Sequence, residues 1–186
     1  MNFPLRTLPV WLITSLLLGC SALPKKSEAP AGSGPGGYYL DDGPGNHPPA
    51  HLDQIPDAVP KKETLNKSAN RPYTAFGKVY VPDTSGKPYK AKGIASWYGR
   101  RYHQQKTSSG ELYDMYAMTG AHPTLPIPCY VRVTNLANHK SVVVRINDRG
   151  PFRSDRLIDL SYTAAWKLGY VNQGSAEVEV ERLFPK

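Results

Sequence analysis

The fold and the site both follow from one run of sequence, Val142-Val143-Val144-Arg145-Ile146-Asn147-Asp148-Arg149-Gly150-Pro151-Phe152. Its β-branched first half predicts a strand, and Gly150-Pro151 ends that strand and redirects the chain. Asp148 therefore lies at the mouth of a strand, where a rigid element usually holds catalytic and binding groups. The same composition is also typical of an ordinary turn, in which Asp148 would accept hydrogen bonds from backbone amides.

Further short strands are predicted on both sides of this run, at residues 93–98, 130–135, 141–147 and 176–183. Residues 135–140 have the spacing of a hairpin turn, and the last segment alternates apolar residues with glutamates, as a half-buried strand does. Residues 161–168 predict one short helix, with Ser161 as its N-cap and Gly169 at its exit. Many short strands, frequent Gly and Pro breaks and one helix predict a mainly β fold, a small barrel.

Five motifs surround or follow the central run in a fixed order: Gly93-Ile94-Ala95-Ser96-Trp97-Tyr98-Gly99, Lys106-Thr107-Ser108-Ser109-Gly110-Glu111, Tyr116-Ala117-Met118-Thr119-Gly120-Ala121-His122-Pro123, Tyr130-Val131-Arg132-Val133-Thr134-Asn135 and Asp155-Arg156-Leu157-Ile158-Asp159-Leu160-Ser161. In this order the sequence closely resembles the rare lipoprotein A family of bacterial cell-envelope proteins. The resemblance is strong over residues 92–170 and weaker back to residue 71. It implies a six-stranded double-psi β-barrel with one or two short helices. It also implies a lytic transglycosylase that cleaves peptidoglycan glycan strands without a cofactor.

Three residues match the positions regarded as essential in active members of that family: Asp148, Glu111 and His122. We assign Asp148 as general acid/base and Glu111 as a second carboxylate that tunes Asp148 or stabilises positive charge; the reverse assignment is the nearest alternative. His122 would orient one of the carboxylates or the substrate. The alternatives are a surface carboxylate for Glu111 and a turn cap for His122. The enzymatic hypothesis requires that the three side chains converge in one cleft.

Four more residues are candidates for substrate binding. Trp97 and Tyr98 have aromatic faces on which sugars stack, and strand alternation predicts that one faces inward and the other, by preference Tyr98, faces the groove. Asn147 and Arg149 flank the acid. Each aromatic residue has a core role as its alternative.

Two residues are expected to serve the scaffold. Cys129 is predicted to be a buried, inert thiol. Asp159 is predicted to bond the backbone or Arg156. The histidines show no metal-ligand spacing, so no metal site is predicted.

The N-terminus predicts export and lipidation. Arg6 precedes an apolar run, residues 8–18, that is too short to span a bilayer as a helix, so residues 1–19 are predicted to be a lipoprotein signal peptide. Leu17-Leu18-Gly19-Cys20 is typical of a lipobox, which would leave Cys20 lipid-modified; an ordinary signal peptide with a chance cysteine is the alternative. Ser21, where an inner-membrane signal would have Asp, favours an outer-membrane lipoprotein facing the periplasm.

The remaining chain divides into a linker and one domain. Residues 20–70 are rich in Pro and Gly and poor in large aliphatic side chains, which predicts a disordered, lipidated linker. Residues 21–70 are also the candidate docking segment for an envelope protein. The barrel domain is predicted to cover residues 71–186. Many relatives carry a further C-terminal peptidoglycan-binding domain of the sporulation-related repeat type, and none is expected here after the last strand.

The net charge of +8 is compatible with nucleic acid, but export argues against that partner and favours anionic glycan or stem-peptide carboxylates. Three functions remain open. The first is an outer-membrane-anchored lytic transglycosylase. The second is a non-catalytic peptidoglycan-binding module of the expansin kind, and the third is a structural lipoprotein that contacts other proteins.

Overall fold

The computed structural model of this chain describes residues 42–45 and 48–185. The predicted signal peptide, the lipidation site Cys20 and most of the linker lie outside the described residues. Within the described ranges, no helix has the length and apolar character needed to cross a bilayer.

In the described ranges, eight strands and one α-helix make up the regular structure. In chain order they are β1 (Tyr73–Ala75), β2 (Lys78–Tyr80), β3 (Lys90–Tyr98), β4 (Thr119–Ala121), β5 (Cys129–Asn135), β6 (Ser141–Asp148), β7 (Ile158–Ser161), α1 (Tyr162–Leu168) and β8 (Ser175–Leu183), with a short 3-10 turn at Leu52–Gln54. Strands β3 to β8 close into a barrel in the order β3-β7-β4-β6-β5-β8, while β1 and β2 form a separate hairpin. Two barrel pairs are parallel, β3 with β7 and β4 with β6. The predicted mainly β class and six-stranded barrel are confirmed.

The elements predicted from the sequence are present with small shifts at their ends. The four predicted strands lie within β3, β5, β6 and β8. The Ser161 hydroxyl accepts a hydrogen bond from the Ala164 amide, and Gly169 ends α1 with a φ of 78°, as helix caps require. Strands β4 and β7 were not predicted because three or four residues are too few to show alternation.

The barrel interior is filled by β-branched and leucine side chains that point inward at alternate positions. The fully buried ones are Val131, Val133, Val144, Ile146, Ile158, Leu160, Val178 and Val180. Each such side chain contributes about 2 kcal/mol by leaving water. Cys129 is buried beside them, and burial raises the pKa of its thiol to about 12, which fits the predicted inert thiol.

Residues 52–70 pack on the barrel, where the sequence predicted a disordered linker up to residue 70. The Ala58 amide donates to the Val143 carbonyl, and the Asp57 carboxylate accepts from the Val143 amide. Leu52 and Ala69 are buried. These two bonds to Val143, in the part of β6 that is not paired with β4, hold the segment. Such bonds leave no trace in a composition poor in aliphatic residues. The packed domain therefore begins before residue 71.

Candidate functional site

Asp148 ends strand β6 and is held by a neighbouring loop. Its Oδ1 accepts hydrogen bonds from the Ser108 amide at 2.8 Å, the Ser108 hydroxyl at 2.6 Å and the Arg149 amide at 2.7 Å. The loop that carries Ser108 is closed by a bridge between Lys106 and Leu112. The side chain is half-buried. Asp148 lies at the end of the strand, as predicted. It also accepts hydrogen bonds from backbone amides, as the alternative role in a turn requires. Three donors fix the orientation of this carboxyl.

Asp148 faces outward because of an irregularity in the sheet. Gly120 of β4 pairs with Ile146 and Leu160, which are both fully buried, so the next residue, Ala121, faces the outer side. The register between β4 and β6 then shifts, so that Ala121 stands opposite Asp148 and Asn147 is skipped. Bulges of this kind re-aim side chains beside active sites.

Asp159 of β7 stands on the other side of Ala121 and was not predicted as a site residue. It pairs with Ala121 in the antiparallel register. Its Oδ1 is buried without a hydrogen-bond partner, and the nearest cation, Arg156 Nη1, lies at 3.7 Å. Burial raises the pKa of Asp159 to about 6, although Arg156 opposes this. The predicted scaffold contact with Arg156 is therefore loose, and Asp159 can hold a proton near neutral pH.

The Tyr98 hydroxyl is buried near both carboxyls and makes no hydrogen bond to either. Burial, and then the negative charges of Asp148 and Asp159, raise the pKa of its phenol well above the usual range. Its hydroxyl therefore lies within electrostatic reach of both groups. The ring face is stacked on Tyr113 with centroids 4.1 Å apart. Tyr98 was predicted to offer its ring face to a sugar. In the structure that face is covered by Tyr113, and the hydroxyl is buried near the two acids.

Trp97 faces inward, as alternation with Tyr98 requires. Its indole N–H donates to the Val171 carbonyl at 3.1 Å, and its ring meets Tyr162 edge to face. This is the core role that was the alternative to substrate binding. A surface sugar platform at Trp97 is not compatible with these contacts.

Glu111 lies in the same loop as Ser108 but is held by other partners. Its carboxylate accepts two hydrogen bonds from Arg145 Nη1, at 2.8 and 2.9 Å, and one from the Asn147 side-chain amide at 3.1 Å. Arg145 also binds Glu63 through Nε and Nη2. Glu111 and Asp148 are therefore bound at adjacent positions of one loop–strand junction, with no hydrogen bond between them. Asn147 serves here to hold Glu111.

Arg149, predicted to bind substrate, instead fastens the chain that precedes β1. Nε and Nη2 donate to the Ala69 carbonyl, Nη2 also donates to Asn70 Oδ1, and Nη1 donates to the carbonyls of His122 and Leu125. A guanidinium has five N–H donors, and all five are used. The structure corrects this prediction, because no donor remains for a saccharide.

His122 is only 2% exposed, and its imidazole contacts neither carboxylate. Nδ1 accepts from the amides of Thr124 and Leu125, which leaves the proton on Nε2, where Tyr89 is the partner at 3.1 Å. Burial lowers the pKa of His122 to about 3, so the ring is neutral. The backbone amide of His122 donates to the Asp148 carbonyl. The structure thus corrects the prediction that the side chains of Asp148, Glu111 and His122 converge. His122 instead caps a turn, which was the alternative role, and it supports Asp148 through a backbone hydrogen bond.

Buried polar atoms without a partner gather around these residues. Six such side-chain atoms occur in the part of the chain that the structure describes, and four belong to Tyr98, Thr119, Asn147 and Asp159. Unpaired buried polar groups are costly and mark sites that a ligand completes. Thr119 also lines an open surface groove of about 360 Å³, together with Tyr130, Arg145 and residues 56–61. Among residues 42–45 and 48–185, no cluster of His, Cys, Asp or Glu is suited to a metal ion.

Two kinds of comparison relate the chain to known sequences. Residues 90–180 match a protein family described as lytic transglycolase. Proteins named endolytic peptidoglycan transglycosylase RlpA are similar over longer stretches. The relative from Pseudomonas aeruginosa is 51% identical over 179 residues, which are 94% of this chain and 52% of the relative. The relative from Neisseria meningitidis serogroup B is 58% identical over 129 residues, 69% of this chain and 54% of the relative. The chain thus spans about half the length of these curated relatives.

One solved structure has a similar arrangement at low identity. A Streptomyces papain inhibitor superposes with a TM-score of 0.42 at 21% identity, over 51% of this chain and 94% of the inhibitor.

Proposed function

Residues 90–180 of this chain belong to the RlpA-like family of lytic transglycosylase domains, and from that premise we propose that the protein cleaves peptidoglycan glycan strands. Cleavage would fall between MurNAc and GlcNAc and leave a 1,6-anhydro-MurNAc end. The observation that carries the proposal is the placement of Asp148 and Asp159 on the two sides of Ala121.

The spacing of the two acids suits a sugar ring. Neighbouring strands lie about 4.8 Å apart, so the Cα atoms of two residues that flank one strand are separated by about 10 Å. Side chains on such positions can bring their carboxyl groups within the range of about 5 to 9 Å that glycosidic cleavage uses. Both side chains belong to the outer face of the barrel, where Asp148 is half-buried and Asp159 Oδ1 is covered.

The reaction needs one acid that works twice. The Asp148 carboxyl protonates the glycosidic oxygen while the bond from C1 of MurNAc to that oxygen breaks. The C6 hydroxyl of the same MurNAc then attacks C1, and its proton passes to the Asp148 carboxylate, which restores the starting state. No water molecule is consumed. Ser108 and Arg149 orient the carboxyl through their three hydrogen bonds to Oδ1.

Asp159 and Tyr98 support the charge that develops on the sugar. The transition state resembles an oxocarbenium ion, and an ionised Asp159 on the opposite side of Ala121 stabilises it electrostatically. The Tyr98 hydroxyl, near both acids, is a donor for the substrate or for either carboxyl. Glu111 keeps the Ser108 loop against β6 through Arg145 and Asn147, which is an indirect form of the predicted tuning of Asp148.

We further propose that lipid on Cys20 anchors the chain to the outer membrane and that it faces the periplasm. The lipobox and the following Ser21 support this. Labelling of cells with radioactive palmitate, followed by membrane fractionation, tests it. The wild-type protein should carry label in the outer membrane, and Cys20→Ala should carry none.

The cleavage proposal is tested by incubating the full chain with purified glycan strands, with and without stem peptides, and identifying the ends by mass spectrometry. Anhydro ends are expected, and Asp148→Asn should abolish them without changing the circular dichroism spectrum. Reducing ends would show a hydrolase instead. Binding without any cleavage would favour the second function, a non-catalytic peptidoglycan-binding module.

A further inference from the structure

The hairpin β1–β2 lies outside the barrel and outside the family-matched residues 90–180. Tyr73 pairs with Tyr80 and Ala75 pairs with Lys78, so the turn consists of Phe76 and Gly77 alone. Their φ angles are 49° and 75°. Two-residue hairpin turns with positive φ at both positions strongly prefer Asn-Gly or Asp-Gly. A phenylalanine at the first position is therefore unusual.

Phe76 is also 90% exposed. A bulky residue with positive φ is strained, and such strain persists where function requires it. Burial does not repay the strain, because the side chain lies in solvent apart from a tilted contact with Phe152 at 5.9 Å between ring centroids. Stability of the fold therefore does not explain this residue.

Phe76 belongs to a group of four aromatic rings, called here the aromatic hairpin: Tyr73, Phe76, Tyr80 and Phe152. Tyr73 and Tyr80 stack with centroids 5.3 Å apart, and Phe152 meets Tyr73 at 6.1 Å and Tyr80 at 5.6 Å. Lys78 Nζ lies 5.3 Å above the Tyr80 ring. These contacts fix three of the rings against each other and present the fourth, Phe76, at the tip.

The aromatic hairpin is attached beside the proposed catalytic residue Asp148. Phe152 lies on the segment that leaves β6 directly after Asp148. The Tyr73 hydroxyl donates to the Pro123 carbonyl at 2.8 Å, and the Arg149 guanidinium lies 5.9 Å above the Tyr73 ring. The hairpin is thus fastened beside the end of β4 and the end of β6, where Asp148 is held.

We propose that the aromatic hairpin is a saccharide subsite that binds rings of the glycan strand beyond the point of cleavage. The occupant follows from the cleavage proposal, on which this inference rests, because a polymer threaded past Asp148 reaches the hairpin next. The apolar C–H faces of a pyranose stack on exposed aromatic rings, and Lys78 offers a positive charge to the carboxylates that muramic acid and stem peptides carry. Phe76 at the tip is the ring of the group that is most open to such a strand.

Binding is measured by isothermal titration of the full chain carrying Asp148→Asn, which prevents turnover. The probe is peptide-free glycan strands released from purified sacculi with an amidase. In this background Phe76→Ala should weaken binding about fivefold, the scale of one lost aromatic contact. Phe76→Trp should bind as tightly as the parent or more tightly. Val79→Ala is the matched control, since Val79 is an aliphatic residue of the same hairpin that is 63% exposed, and it should change nothing.

Phe76→Asn separates binding from folding. Asparagine tolerates positive φ and forms the preferred turn with Gly77, so the melting temperature should stay level or rise while binding weakens as in Phe76→Ala. Equal affinity of Phe76→Ala, Phe76→Asn and the parent would overturn the subsite. Failure of the cleavage proposal is seen separately, as absence of anhydro ends from the otherwise unaltered protein. A loss of affinity in the Phe76 variants would uphold the subsite in that case also.

Discussion

Asp148 and Asp159 stand in register with the same residue, Ala121, on the two strands that flank β4. One reaches the site along parallel β6 and the other along antiparallel β7. Their shared neighbour has a side chain of one methyl group, the smallest that a non-glycine residue can place between them. The proposed chemistry depends on this pair of aspartates, and not on the set of Asp148, Glu111 and His122 that the motifs suggested.

Asp159→Asn is expected to lower kcat by about 10- to 100-fold, because a charged partner in the transition state is lost. With a pKa of about 6, Asp159 ionises as pH rises through that value, so the wild-type rate should rise across this range. The variant should lack that limb of the pH profile. Release of anhydro ends measured from pH 4.5 to 8 checks both effects.

The control for this experiment is Asp83→Asn, which removes an exposed carboxylate that accepts from the Ser85 amide and is not among the charges acting on Asp159, so it should leave the profile unaltered. An Asp159→Asn enzyme whose rate still climbs through pH 6 would remove Asp159 from the mechanism.

Ser108→Ala removes the shortest hydrogen bond to Asp148, at 2.6 Å, and leaves the bond from the backbone amide. We expect kcat to fall about tenfold with a loss of stability of about 1 kcal/mol, since one hydrogen bond to a charged group is lost. Ser109→Ala is the comparison, because its hydroxyl bonds Thr107 in the same loop and not the carboxylate. Similar rates for the two variants would show that the Ser108 hydroxyl does not position Asp148.

The sequence predicted four of the six barrel strands and the position of Asp148, because these are local properties. Alternation and β-branching determine a strand such as β6, and Gly150-Pro151 determines where it ends. Asp159 was assigned to the scaffold, since nothing in its neighbours shows that β7 pairs with β4 and brings it beside Ala121. The neighbours of a short strand in this barrel are not consecutive in sequence, so they are determined by the rest of the fold.

The roles of His122 and Arg149 were also beyond the sequence. A histidine ring donates and accepts, and an arginine donates, in the same way whether the partner is a substrate or a backbone group. Only the structure shows that the amides of Thr124 and Leu125 donate to His122 Nδ1. It also shows that most N–H groups of Arg149 donate to backbone carbonyls. For the aromatic hairpin, the sequence contains Phe76 before Gly77, but only the structure shows that these two residues form a tight turn.

Protonation of His122 should make stability fall in acid. Its folded pKa of about 3 is below the ordinary value of 6.5, so the unfolded chain binds more protons between these values and stability rises with pH there, by up to about 1.4 kcal/mol per pH unit. Asp159 opposes this between pH 3.8 and about 6, because its raised pKa makes the folded state bind the extra proton.

Urea denaturation of wild type and Asp159→Asn from pH 4 to 7.5 measures the two contributions. The variant should lose stability more steeply below pH 6 than the wild type does, since the opposing effect of Asp159 is gone. Parallel curves for the two proteins would contradict the assignment of the raised pKa to Asp159.

Removal of residues up to 70 should destabilise the barrel, although the sequence places the domain boundary there. The deletion takes away buried Leu52 and Ala69, the Asp57 contacts with Val143 and Lys167, and the Glu63 ion pair with Arg145. It also leaves the Arg149 guanidinium without the Ala69 carbonyl and the Asn70 side chain. We expect a loss of about 3 kcal/mol or more and a melting temperature lower by about 10 °C, compared with a protein that begins at residue 42. Calorimetry of the two proteins measures this loss. Glu63→Gln in the longer protein should give an intermediate melting temperature. Equal melting temperatures for the two lengths would show that residues 52–70 add nothing to the stability of the fold. If the shorter protein is less stable, a lack of activity in it reports on folding and not on the chemistry of Asp148.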